Sequence, residues 1–354
     1  MPAISISNFS GTYFTSAVPD VTVPVSGSAA NALITMTVDG VSIYSEILWP
    51  VHGLVTLTEL GSLLEQWAQK RLVISLKVNA QLKNGNGDNI GSPVSATATV
   101  LFSRADVGVS AQEFYTGYFL SILMGTKVTA HGRLEYLHYY GSDPASVLAE
   151  YDDGTRQIFT ALKSGGSSVY TQLDVSPDYY EQEGKTLVAY TVTAGTRRQR
   201  FEMDPAEPDC APILEFYNSF GVWELLYCTG THAVAPDYKR SSARIGGMLR
   251  NYRIEETRTF RADTGILTTA MAGWAEDLFR SDEVYVVNVI DGEVTSRDGG
   301  KLVVITDSKS ERNNEFDCMP RFTFSYQYAQ RIHNVLQLNR VGRIFDNTFD
   351  RTFN

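Results

Sequence analysis

Cysteine is scarce in this 354-residue chain: Cys210, Cys228 and Cys318 lie apart and make an odd count. A disulfide framework needs evenly paired, closely patterned cysteines, so bridges do not hold this fold together. The same scarcity argues against zinc. Cys228 and His232 have compatible spacing, but a structural zinc site takes about four ligands and no second pair is near in sequence. Histidine is equally thin, at five dispersed residues: His52, His131, His138, His232 and His333. Neither a metal nor a cofactor is therefore expected.

Long apolar runs are also missing, since none approaches the roughly 20 residues of a membrane-crossing helix. The opening MPAISISNFSGTYF has neither the basic stretch nor the unbroken apolar stretch of a secretory leader. A product made and kept in the cytoplasm is the expectation, with no membrane partner. Positive charge is in deficit: 30 Lys and Arg against 40 Asp and Glu leave −10. Nucleic-acid binding rests on cations that neutralise phosphates, so it is not expected as the main role.

Catalytic signatures are absent as well. There is no Gly-x-Ser-x-Gly elbow, no phosphate loop, no His-Glu-x-x-His, and no Gly-x-Gly-x-x-Gly between a strand and a helix. Adjacent acids such as Asp152-Asp153, Glu255-Glu256 and Glu276-Asp277 arise readily among 40 carboxylates. Neighbouring strand residues point to opposite faces, so such pairs do not make the two-acid pincer of a glycosidase. No catalytic residue is assigned, and the chain reads as a non-enzyme.

What the sequence does have is aromatic residues, 17 Phe and 19 Tyr, in alternating runs. That bias favours strands. A mainly β protein follows, with two or more β-sandwich-like modules, each closed by a short plug helix.

Residues 1–103 read as the first sandwich. Runs such as Leu33–Val38 and Leu72–Val78 alternate between turn signals, with Asp39-Gly40 marking a hairpin. Leu60, Leu63, Leu64 and Trp67 recur at helical spacing after Thr58, a suitable N-cap. Asn84 to Asn89, NGNGDN, loosely resembles calcium-binding repeat loops, but it occurs once with a single carboxylate. A tight turn is the better reading.

Residues 104–125 form a linker and helix, with Ser110 and Glu113 spaced as a capping box ahead of Phe114, Tyr118, Phe119 and Ile122. Residues 126–208 are strand-rich, with a turn at Tyr151–Thr155 and a basic spot at Arg197, Arg198 and Arg200. Residues 209–343 are a C-terminal β-rich domain with one helix, its stripe including Leu267, Met271, Trp274, Ala275 and Leu278. A second basic cluster spans Lys239 to Arg258. Leu57-Thr58, the helix and the strand after it are echoed by Leu267-Thr268, a helix and the strand from Glu283. The echo suggests two related modules.

The most apolar stretch is Pro212–Gly230. Ile213–Tyr217 and Val222–Cys228 flank Asn218-Ser219-Phe220-Gly221 as strand, turn and strand, the central hairpin. Val222, Leu226 and Cys228 fall on one parity of the second run, Trp223, Leu225 and Tyr227 on the other. Both faces must be covered, inside a sandwich or under another subunit. Trp223 and Tyr227 are therefore candidate interface residues.

The chain ends in a Phe-Asp-x-Thr period, with Phe345, Phe349 and Phe353 on one side of a helix or a strand alike. Each ring is worth roughly 2 kcal/mol when buried. Residues 344–354 therefore read as a docking tail, folded on its own sandwich or on a neighbouring subunit.

Four stretches carry a resemblance: Arg104 to Phe119, Pro212 to Gly230, Thr257 to Val287, and the Phe repeat. Together the chain resembles virion proteins, tail components, of phages and prophages of gut bacteria. The resemblance implies a structural role in a baseplate, tip or adaptor ring, a homo-oligomer with other virion proteins as partners, and the virion as its location. A carbohydrate-binding or adhesive sandwich is the alternative, with Tyr136, Tyr139, Tyr140, Tyr179 and Tyr180 as its aromatic surface.

Overall fold

A computed structural model of the protein describes residue 6 and residues 9–290, 293–294, 300–311 and 319–329. The architecture is mainly β, as the sequence predicts, with several separate sheets and three α-helices among the described residues. The chain divides into two compact units. The first is Met1–Tyr118 with Ser219–Gly221; the second is Phe119–Asn218 with Val222–Asn354. The regions read as 126–208 and 209–343 both fall in the second unit, apart from Ser219–Gly221.

In the first unit, β1 (Gly11–Phe14), β3 (Asn31–Val38), β4 (Val41–Leu48), β6 (Val73–Lys83) and β7 (Asn89–Leu101) form a sheet in the order β1-β7-β6-β3-β4. Strands β2 (Val21–Pro24) and β5 (Leu54–Leu57) pair separately. Alternation explains how the two layers meet. Val21, Val23, Val55 and Leu57 from the small sheet share one core with Ile34, Met36, Ile74, Leu76 and Val78 from the large one. The β3–β4 turn places Asp39 and Gly40 at positive φ, 48° and 84°, as a two-residue hairpin demands. NGNGDN closes β6 onto β7 as an Asx turn: Asn84 Oδ1 accepts the Asn86 and Asp88 N–H groups, each at 2.9 Å.

Helix α1 (Leu60–Arg71) covers this core through Leu60, Leu64 and Ala68. Thr58 does not cap it. Glu59 occupies the cap position in a left-handed conformation, and its side chain makes no cap hydrogen bond. Leu63 is exposed, because the buried stripe runs through Ala68 instead. Helix α2 (Ala111–Gly117) starts as expected, with Ser110 Oγ accepting the Glu113 N–H at 3.2 Å. It ends at Gly117, so Phe119 and Ile122 are not helical. Phe114 is fully buried, and its ring stacks on Phe220 with centroids 4.6 Å apart.

The second unit begins with two sheets. Strands β8 (Lys127–Thr129), β10 (Ala145–Tyr151), β11 (Arg156–Thr160), β14 (Leu187–Ala194) and β15 (Arg197–Met203) run in the order β11-β10-β14-β15-β8. Strands β9 (Tyr136–Tyr140), β12 (Leu162–Gly166) and β13 (Tyr170–Asp174) run in the order β12-β13-β9. They share a core of Tyr139, Val147, Leu173, Tyr180, Tyr190 and Phe201. The expected plug helices are those of the first and last thirds of the chain, Leu60–Arg71 and Thr269–Arg280, and this middle region has no α-helix. Its aromatic side chains fill the space instead.

The unit continues with a seven-stranded sheet in the order β17-β16-β20-β23-β24-β19-β18. Its strands are β16 (Ile213–Tyr217), β17 (Trp223–Tyr227), β18 (His232–Ile245), β19 (Met248–Asp263), β20 (Val284–Val287), β23 (Lys301–Lys309) and β24 (Thr323–Tyr328). Strands β21 (Val289–Ile290) and β22 (Glu293–Val294) make a short separate pair. Helix α3 (Thr269–Arg280) packs on the sheet, with Met271, Trp274 and Leu278 against Phe216, Leu226 and Phe324. Thr268 Oγ1 caps it by accepting the Met271 N–H at 3.2 Å. The echo between α1 and α3 thus extends to length and a following strand, but not to the cap.

Gly61 on α1 sits where an added Cβ would lie 2.1 Å from the Thr15 carbonyl oxygen. Gly61→Ala gains about 1 kcal/mol of helix propensity but must displace backbone. It is expected to lower the urea midpoint of unfolding; a raised midpoint would contradict this packing.

Candidate interaction surface

The Pro212–Gly230 segment forms the predicted hairpin, with Ile213 paired to Tyr227 and Tyr217 to Trp223. It is not central in its sheet: β17 is an edge strand. Both of its faces are nonetheless buried. Leu226 and Cys228 join the core under α3, while Leu225 and Tyr227 pack with Leu134 and Val287 on the other side. The covering lies within the same unit, so no second subunit is required to explain the apolar pattern.

Tyr227 is engaged in that cover. Its hydroxyl accepts the Leu134 N–H at 2.8 Å and lies 3.2 Å from the Leu134 carbonyl. The Arg133 guanidinium stands 5.3 Å from its ring. Trp223 is half-buried, edge-on to Tyr217 and Tyr285 at 5.2 and 5.8 Å. Phe345, Phe349 and Phe353 lie outside the described residues, as do Cys318 and His333.

A polar network sits beside the hairpin. Lys127 Nζ is 2.6 Å from Glu135 Oε2, with side chains only 10% and 1% exposed. The same ammonium lies 4.6 Å from the Trp274 ring centroid. Glu224 Oε2 accepts from Asn218 Nδ2 at 2.9 Å and from Trp274 Nε1 at 3.0 Å. Burial pushes the Glu224 carboxyl above its ordinary value, against the pull of Asn218 and Lys127. Burial pushes His138 the other way, down to about 4, although its Nε2 lies 3.2 Å from the Trp223 carbonyl. These partners hold the hairpin in place. They do not form a nucleophile and base aimed at an open space.

The cations tell two stories. The Arg197 spot is neutralised internally: Arg197 is 2% exposed, 2.7 Å from Asp143, and its guanidinium lies over Tyr139. Arg200 pairs with Glu150 at 2.9 Å. The second cluster is different. Among the described residues, strands β18 and β19 pair without a third strand over residues 236–258, because β19 meets β24 only at Phe260–Asp263. The result is a two-stranded ribbon roughly 35 Å long, turned by Gly246 and Gly247 at φ 62° and 84°.

Six large apolar side chains are exposed on this ribbon: Tyr238, Ile245, Met248, Leu249, Tyr252 and Ile254, with Leu249 at 73%. Tyr238, Ile254 and Leu249 share one face with Arg240 and Arg244, as the register sets it. Arg253 and Arg258 pair with Glu255 and Glu256. Among the described residues, Lys239, Arg244 and Arg250 have no carboxylate within ion-pair distance. The sequence located this cluster, but nothing in it marked where lateral pairing stops.

Two other features are weaker. His131 Nδ1 lies 2.6 Å from Glu181 and 3.4 Å from Asp178, a set with metal-compatible atoms but largely exposed carboxylates. The proposed sugar platform is mostly core: Tyr139, Tyr140 and Tyr180 are 1–2% exposed, and Tyr179 alone of the five is well exposed.

No family model matches the chain. No curated protein matches it. Among solved structures, it is compared with the Bacteroides ovatus mixed-linkage glucan utilization locus SGBP-B in complex with a mixed-linkage heptasaccharide. That comparison has 10% identity over 87% of this chain and 71% of the other, with a TM-score of 0.15. A superposition that loose carries no argument about fold or ligand.

His138 gives a pH dependence with a definite sign. Its folded value, about 4, lies below the unfolded value of about 6.5. The unfolded chain therefore binds the extra proton first, and stability falls as pH drops from about 6.5 to about 4, by up to roughly 1.4 kcal/mol per pH unit. Urea titrations across that window should show the fall, and His138→Gln should flatten it. An unchanged slope in the variant would remove His138 as its source.

Proposed function

We propose that this protein is a structural component of a bacteriophage virion, in a tail baseplate, tip or adaptor ring, and that it works by assembling with itself and other virion proteins. The observation that carries the reading is the ribbon of residues 236–258. A two-stranded hairpin standing alone is marginal in water. This one holds six large apolar side chains exposed, three of them, Tyr238, Leu249 and Ile254, on one face, and grouped exposed apolar surface marks contact sites. Mechanical assembly needs large buried interfaces and no turnover. It therefore suits a chain whose buried ionisable groups are engaged in holding its own strands.

The resemblance of Arg104 to Phe119, Pro212 to Gly230 and the Phe-Asp-x-Thr ending to phage tail proteins supplies the virion context. The adhesive reading has less to rest on, because Tyr139, Tyr140 and Tyr180 are committed to packing. Their rings cannot face a sugar without unfolding the sandwich.

Light scattering on the eluting full-length protein is expected to give a multiple of the monomer mass, with a defined stoichiometry. A monomer at every concentration, or selective binding of a defined glycan on an array without assembly, would overturn the proposal.

A further inference from the structure

Charge is distributed on this chain in a way that names a partner for the ribbon. Residues 236–258 contain Lys239, Arg240, Arg244, Arg250, Arg253 and Arg258 against Asp237, Glu255 and Glu256, six cations to three carboxylates. The ribbon thus carries +3 in a chain of −10, which leaves −13 on everything else. Its two nearer arginines are already paired with Glu255 and Glu256. The excess therefore lies on Lys239, Arg240, Arg244 and Arg250, of which Arg240 and Arg244 share a face with Tyr238, Leu249 and Ile254, while Lys239 and Arg250 lie on the other face with Ile245 and Met248.

We infer that the ribbon docks on the acidic body of a second copy of this chain, with the face of Tyr238, Leu249 and Ile254 buried there and Arg240 and Arg244 on that same face set against carboxylates of that copy. The inference rests on the assembly reading and adds the partner to it. Opposite signs on ribbon and body steer copies together and fix which surfaces meet. Burial of the apolar face then supplies the affinity. A contact between two different patches is heterologous, and repeated from copy to copy it generates a ring or a filament. Nucleic acid fits less well. The −13 remainder repels phosphate, and the exposed ribbon residues include Ile245, Met248, Leu249 and Ile254, which gain little from a solvated backbone.

The test uses the full-length chain. A triple variant, Arg240→Glu, Arg244→Glu and Arg250→Glu, reverses the ribbon's charge at exposed positions; a double variant, Leu249→Ser and Tyr252→Ser, removes apolar surface and leaves the charge intact. Each is first checked for an unchanged urea midpoint. Ultracentrifugation then measures self-association between about 0.05 M and about 0.5 M salt, where screening shortens the reach of charges severalfold. A photocrosslinker placed at Ser242 is read by mass spectrometry on a mixture of light and isotopically heavy chains.

The inference predicts association weakened about tenfold or more by either variant. Added salt weakens the parent, and crosslinks join the ribbon of one copy to another copy. A parent that multimerises unchanged by both variants, with ribbon crosslinks confined to its own chain, overturns this inference and leaves the assembly reading standing. A parent that is monomeric throughout overturns both. Ribbon-dependent binding of a labelled DNA duplex by a monomer replaces the second copy with nucleic acid and overturns the inference as well.

Discussion

The second unit depends on keeping both faces of one edge strand dry. Strand β17 has a hydrogen-bonding neighbour on one side alone, so its place is secured by what covers it above and below. Leu226 and Cys228 are covered with α3, and Leu225 and Tyr227 with Leu134 and Val287. Sealing a strand on two sides brings polar groups out of water too, and each must find a partner there. Lys127 with Glu135, Glu224 with Asn218 and Trp274, and the Tyr227 hydroxyl with Leu134 meet most of that demand, while Glu135 Oε1 and His138 Nδ1 are buried without a hydrogen-bond partner. Burial holds the His138 imidazole well below its ordinary value, against the Trp223 carbonyl beside it.

The ribbon of β18 and β19 is the opposite case in the same sheet. Near the sheet, Phe260 and Tyr326 stack at 4.9 Å and the strands belong to the core. Beyond Arg258 no third strand follows among the described residues, and Ile254, Leu249 and Tyr238 on the continuing face are exposed. One continuous pair of strands is therefore structural at its base and available at its tip. The two faces of β17 are covered from within the unit, whereas apolar side chains of the ribbon stay exposed among the described residues.

Much of the fold was legible locally because turns and caps are decided by a few neighbouring residues. Asp39-Gly40, Asn84 to Asn89, Ser110 with Glu113, and Asn218 to Gly221 all lie at the predicted turns or helix start. Misreadings came where a distant contact overrode the local signal. Thr58 had the right chemistry for a cap, but Glu59 takes that position in a left-handed conformation. Tyr139, Tyr140 and Tyr180 looked equally suited to a surface or a core, since an aromatic ring serves either. Arg197 read as part of a basic spot, yet it is buried over the Tyr139 ring and pairs with Asp143, 54 residues away in sequence.

By itself, the sequence determined the strand-rich class, the hairpin at Ile213–Tyr227, the helices near Leu64 and Trp274, and the excess of acid over base. Periodicity and composition are properties of neighbouring residues and need no fold to be read. Only the tertiary structure decided which strand became an edge, which cations met carboxylates, and where two strands lost their third neighbour. Those outcomes depend on residues tens of positions apart being brought within a few ångströms, and no local pattern encodes that distance.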